Sequence, residues 1–209
     1  LGQPAHATPR RRMSQRCQHP DVDLLAATVR LQERAGGNLT GLLKLNAATV
    51  RERHRKVSGL EAARLYSLDV ERILIYHMDE MARRLQKEEM RNRVALIAVG
   101  GFGRVELGFH SDIDFCFITE REPTAEEENF IRAVLYPLWD LRLDLGYGVH
   151  SIRDAINTLG NDLTKATSFL ETRHLWGAHP LWEELLERIH GKLHKHHIYW
   201  FINALRDEM

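Results

Sequence analysis

Val94-Ala-Leu-Ile-Ala-Val-Gly100-Gly101-Phe-Gly103-Arg104-Val-Glu-Leu-Gly-Phe-His-Ser111-Asp112-Ile-Asp114-Phe-Cys-Phe-Ile118 is the stretch on which the fold turns. It opens with six apolar residues rich in Val and Ile, the pattern of a strand buried on both faces. A glycine-dense turn and a short polar stretch follow, then a second apolar strand that carries two acids. Asp112 and Asp114 are two residues apart, so in a strand both side chains leave from one face, and Ile113, Phe115 and Phe117 leave from the other into a core. Two like charges aimed at one spot call for a cation between them. Carboxylate oxygens suit Mg²⁺, which takes few protein ligands and completes its shell with substrate phosphates. The exposed amides of the Gly100-Gly101 turn can cradle such a phosphate.

Taken singly, a double-glycine turn or an Asp pair at a strand end is ordinary. The joint pattern of strand, Gly-Gly and Ser-Asp-x-Asp is specific. It is not the dinucleotide fingerprint G-x-G-x-x-G, because Glu106 stands where the third glycine belongs. A P-loop is excluded for want of G-K-[ST], and no G-x-S-x-G elbow is present.

Gly100-Gly101-Phe-Gly103-Arg104-Val-Glu106-Leu107 with Ser111-Asp112-Ile-Asp114 resembles the signature of the DNA-polymerase-β-like nucleotidyltransferases, and among them the bacterial PII-protein uridylyltransferases. The likeness continues through Leu138-Trp139-Asp140, Leu143-Asp144-Leu-Gly146, Asp162-Leu163-Thr164, Thr167, Leu170-Glu171, Arg173, Leu175 and Gly177, covering roughly residues 60–209. There are departures. Val105 replaces a usual Gly, Gly108-Phe109 stands where Pro is frequent, and Tyr147-Gly148-Val149-His150 replaces a His-Ser-Val-Arg run.

The resemblance implies an α+β fold: a small mixed sheet with helices at 94–150, flanked by N-terminal helices (21–93) and a C-terminal helical bundle (151–209). It implies Mg²⁺ held by Asp112 and Asp114. Gly100, Gly101, Arg104 and Ser111 would meet the nucleotide, and a third carboxylate would come from Asp144 or, less favoured, Asp140, with Glu106 a distant third. The implied reaction is transfer of UMP from UTP to a tyrosine of a PII-type protein. A sister adenylyltransferase and a non-catalytic NTP-sensing module are the competing readings. Removal of UMP, which the full enzymes perform with a His-Asp domain, is not expected, since no His here is followed by Asp.

The remaining composition fits. The chain has 209 residues, 44% hydrophobic and 28% charged, as in globular proteins, with zero formal net charge. It therefore lacks the basic footprint of a nucleic-acid or anionic-membrane binder. No apolar run reaches a membrane-spanning length. Two cysteines, Cys17 and Cys116, are too few for a disulfide framework. Cys116 reads as a buried small hydrophobe, and the chain as cytoplasmic. Starting at Leu1 and ending at Met209 inside an apparent helix, it reads as an incomplete piece.

Along the chain, 1–20 reads as a mobile leader, with short helices over 21–34 and about 40–57. Residues 59–87 form the clearest amphipathic helix, with Leu60, Ala63, Val70, Leu74, His77, Met81 and Leu85 on one stripe and His77 a hydrogen-bonded core residue. Thr124 to Glu127 is a capping box starting a helix to about 139. Residues 142–151 alternate as a third strand, with Gly146 and Gly148 leaving open space beside Asp144. From 151 on the pattern is helical, over about 151–159, 163–175, 180–190 and 196–209. His190, His194 and His197 share a helix face, read as a solvated basic face and not as a metal site.

Overall fold

The computed structural model describes residues 59–140, 144–158 and 163–192, all within the compact unit His54–Met209. The leader, the helices expected over 21–34 and 40–57, and the one expected over 196–209 lie outside the described residues.

Helix α1 spans Gly59–Arg84. It stops three residues short of the expected end because Gln86 turns left-handed (φ 55°). Lys87 N–H then bonds to Ala82 O at 2.8 Å and Gln86 N–H to Arg83 O at 3.2 Å, the paired bonds of a Schellman cap. The buried face is not quite the predicted stripe. Leu60 and Leu85 are exposed, while Ser67 and Glu80 are buried. Ser67 is paired on both sides: its hydroxyl donates to Ala63 O and accepts the Leu107 N–H, each at 2.8 Å. Glu80 is held by Arg83 and Arg84. His77 is a core residue as expected; Nε2–H donates to Val134 O at 2.8 Å, and burial lowers its pKa.

A 3₁₀ turn, Glu88–Asn92, leads into β1, Val94–Ala98, every residue of which is buried. The one-turn helix α2, Gly100–Gly103, follows, then β2, Ile113–Thr119. Helix α3, Ala125–Asp140, begins at the expected capping box: Thr124 N–H meets Glu127 Oε2 at 2.8 Å and Glu127 N–H meets Thr124 Oγ1 at 3.3 Å. Arg93 binds the same Glu127 at 3.0 Å, tying the approach to β1 to the start of α3. Strand β3 is Leu145–Ser151, α4 Ile152–Thr158, α5 Leu163–Leu170, β4 Arg173–Gly177 and α6 His179–Lys192.

Strand β4 corrects the all-helical reading of the chain beyond residue 151. Helix α5 stops at Leu170, not 175, and the next segment returns to the sheet. The order is β3-β2-β1-β4, with β1 antiparallel to both β2 and β4, and β2 parallel to β3. The result is a four-stranded mixed sheet with helices, consistent with a nucleotidyltransferase core.

Residue parity divides the sheet into two faces. Leu96, Ala98, Phe115 and Phe117 lie on one, where Phe130 of α3 stacks on Trp176 at 6.0 Å. Ala95, Ile97, Cys116 and Ile118 lie on the other, packed with Ile152 and Ala155 of α4, Phe169 of α5, and Leu185 and Ile189 of α6. Fully burying each such aliphatic chain contributes about 1.5–3 kcal/mol. Cys116 is buried as expected, which pushes its thiol up to about 12. Asp114 belongs to this second face, two residues before Cys116, where apolar packing gives way to charge.

Candidate active site

Two segments of the signature meet at Gly100. Val99 is extended and its N–H binds Asp114 O at 3.1 Å, so the chain leaves β1 still paired to β2. Gly100 then takes φ +56°, a conformation open to glycine and costly for other residues. The bonds of α2 begin at the Gly103 N–H, on Val99 O at 3.0 Å, and leave the amides of the first turn without a partner inside the helix. A methyl group built on Gly100 would lie 3.9 Å from Asp114 Oδ2 and 4.0 Å from Ser168 Oγ. Glycine turn, strand carboxylate and α5 hydroxyl thus converge on one point. Ser168 was not legible in advance: a Ser in a helix has no periodic or motif signal of its own.

Asp112 is exposed just before β2, and Asp114 is half-buried as its second residue. Burial, and then the charge of Asp112, raise the Asp114 carboxyl above the ordinary range. Gly146 lies opposite Asp114 on β3, and a methyl group there would stand 1.9 Å from Asp114 Oδ1. Gly148 does the same for His150, whose Nε2 would be 2.5 Å from a methyl on that glycine. The two glycines are therefore not open space, as the sequence suggested. They are seats filled by the side chains of Asp114 and His150.

Asp144 precedes β3 by one residue and is exposed. Its carbonyl accepts the Ile113 N–H at 2.9 Å, so the parallel ladder of Ile113 on Leu145 extends to bring Asp144 opposite Asp112. Asp140 is the exposed last residue of α3. Arg104 is exposed and paired with two acids, Glu106 at 3.0 Å and Glu171, which together raise its pKa. Ser111 closes the loop: its N–H binds Gly108 O at 3.2 Å, and its Oγ lies 2.5 Å from where a Gly108 Cβ would stand.

Among the described residues, neither Asp112 nor Asp114 is paired with a cationic side chain, and no three His, Cys, Asp or Glu form a metal-binding group by themselves. Two adjacent carboxylates, one with its charge disfavoured by burial and by its neighbour, suit a divalent ion whose shell is completed by a ligand's oxygens. His190 is exposed on α6; His194 and His197 lie outside the described residues. No helix among the described residues is long and apolar enough to cross a membrane.

A bifunctional uridylyltransferase/uridylyl-removing enzyme of Novosphingobium aromaticivorans is 36% identical over 132 residues, 62% of this chain and 14% of that protein. The enzyme of the same name in Ruegeria pomeroyi is 38% identical over 134 residues, 64% of this chain and 15% of that protein. In Bradyrhizobium diazoefficiens the identity is 43% over 96 residues, 46% of this chain and 10% of the relative. The chain thus spans only about a seventh of the length of the first two. The family model described as glutamate-ammonia ligase adenylyltransferase matches residues 13–136, more than half of the chain and all of the glycine turn and acid pair. On that match, the chain belongs to the glutamate-ammonia ligase adenylyltransferase family.

Proposed function

We propose that this chain transfers a nucleotidyl group from a nucleoside triphosphate to a hydroxyl, with UTP as donor and a tyrosine of a PII-type protein as acceptor. The observation that carries the reading is the meeting of Gly100, Asp114 and Ser168 at one point, beside Asp112. The first amides of α2, which start at Gly100 beside Asp114, would meet phosphate oxygens. Asp112 and Asp114 would hold Mg²⁺, which when bound neutralises charge on the phosphoryl group and on the departing pyrophosphate. Arg104 exchanges its carboxylate partners for phosphate, and Ser111 holds the loop that leads into Asp112. Asp144, opposite Asp112, is the candidate base for the acceptor, whose phenol has an ordinary pKa near 10. Placement and electrostatics account for most of the rate in such a site.

The uridylyl reading rests on the names of the relatives just described. A second reading, adenylyl transfer from ATP, is favoured by the description of the matching family. Pyrophosphate release with Mg²⁺ and each of the four triphosphates, with PII-type protein or glutamate-ammonia ligase as acceptor, separates them. UTP with PII-type protein supports the first reading and ATP with the ligase the second. Triphosphate binding without release for any acceptor overturns both in favour of a sensing module. Asp112→Asn and Asp114→Asn should each lower the rate by roughly a hundredfold or more, the scale of a lost electrostatic contact in a transition state.

A further inference from the structure

We infer that Arg173 is a positioning residue for the nucleotide-binding turn, an inference that rests on the nucleotide reading above. Arg173 opens β4 opposite Ala98, beside the point where β1 runs into α2. Its guanidinium forks three ways. Nε–H donates to Gly103 O at 3.2 Å, an Nη2–H to Phe102 O at 3.1 Å and an Nη1–H to Glu71 Oε2 of α1 at 2.5 Å. Its Cζ lies 5.6 Å from the Phe102 ring centre, so the cation also covers the one large side chain of α2.

The need for such a clamp follows from the sequence of α2. Gly-Gly-Phe-Gly is a single turn, and three glycines give it little preference for helix over other conformations. Its shape must be imposed from outside. Gly100 O accepts Arg104 N–H, Gly101 O accepts Glu106 N–H and Phe102 O accepts Val105 N–H. Gly103 O is met by Arg173. The same segment presses from below: a methyl on Gly103 would stand 1.6 Å from Glu171 O, so the helix lies flush on the α5–β4 turn. Glu71 supplies the counter-charge that keeps the guanidinium in place, with both side chains mostly buried. The other end of the turn, with its unbonded first amides, begins at Gly100 beside Asp114. If the turn is loosened, only a fraction of molecules presents them correctly, and apparent affinity falls by that fraction.

The test uses Arg173→Met, Arg173→Lys and Glu71→Gln in the 209-residue chain, read by amide hydrogen exchange and by titration with Mg²⁺ and each triphosphate. Exchange at Gly103–Glu106, whose amides bond within the turn, should rise about tenfold or more in Arg173→Met, while β1 and β2 keep their protection, and triphosphate dissociation constants should rise about tenfold. Arg173→Lys, which cannot fork onto two carbonyls and Glu71 together, should fall between. Glu71→Gln leaves the guanidinium intact and guards against a variant that merely fails to fold. Turn amides that stay protected, or a loosened turn with wild-type triphosphate affinity, would overturn the clamp alone. A wild-type chain that binds no triphosphate overturns the nucleotide reading and this inference with it.

Discussion

Gly146 lies directly across the parallel ladder from Asp114, and its missing side chain is the seat of that carboxylate: a methyl group would come within 1.9 Å of Oδ1. Only the end of the Asp114 side chain is in the way, with Cγ at 3.1 Å and Cα at 3.8 Å. Gly146→Ala should therefore be accommodated by rotating the carboxylate, not by rebuilding the sheet. The expected outcome is a folded protein with a small change in unfolding temperature and a transfer rate reduced by roughly a hundredfold, the scale of a misplaced reacting group. A wild-type rate in this variant, measured as pyrophosphate release, would remove Asp114 from the site.

The raised Asp114 carboxyl makes a separate prediction about stability. An acid with a folded pKa above its unfolded value binds more protons folded than unfolded in the window between the two. Stability therefore falls as pH rises through that window, opposite to the behaviour of a salt-bridged Asp. Asp114→Asn should be more stable than wild type above the folded pKa, and the advantage should vanish below the ordinary value of 3.8. Denaturant titrations at pH 3.5 and pH 7 without Mg²⁺ measure the difference. An equal stability difference at both would mean that charge is not its source.

Much of this arrangement could be read from the sequence, and the misses have physical causes. Strands β1 and β2 and the start of α3 were legible because unbroken apolar runs and a capping box are local signals. Strand β4 was not, for two reasons. Its sequence, Arg-His-Leu-Trp-Gly, opens with residues whose polar ends find special partners, as Arg173 does on α2. Its pairing with β1 also slips between Leu96 and Ile97, so two residues of β1 face three of β4 and alternation is lost. On α1, Ser67 and Glu80 occupy core positions because distant groups satisfy them, which helical periodicity cannot foresee. The sequence shows that Gly146 and Gly148 lack side chains, but only the structure identifies what fills the gaps.

Val105 carries φ 63°, a left-handed conformation that is costly for a β-branched residue. It is also the position where the resembling signature usually has Gly. Comparing Val105→Gly with Val105→Ala separates strain from lost side-chain contact, because Ala keeps the penalty and Gly does not. Gly should exceed Ala in stability by about 1 kcal/mol, the lower end of the left-handed cost for a residue with Cβ. Equilibrium denaturation of the two variants gives the number. Ala equal to or better than Gly would show that the backbone is relaxed there in solution.

The ladder between β2 and β3 bears on the source of a third carboxylate. Ile113 N–H bonds to Asp144 O, which extends the pairing of β2 with β3 by one step and sets Asp144 across from Asp112. Asp140 ends α3, where the helix dipole disfavours its charge but water can solvate it. Position on the ladder therefore favours Asp144, even though it lies just outside the strand and not within it. As a base for the acceptor hydroxyl, Asp144 would contribute on the order of a hundredfold to the chemical step. Asp144→Asn should lower kcat by about that factor with little change in triphosphate affinity, because the glycine turn and Asp114 remain intact. Asp112→Asn, by contrast, should weaken Mg²⁺-dependent binding as well as turnover. Asp140→Asn should leave both within about twofold, as for an exposed substitution away from the reacting groups. If Asp140→Asn is the damaging change and Asp144→Asn is silent, the base comes from the end of α3 and not from the residue that precedes β3.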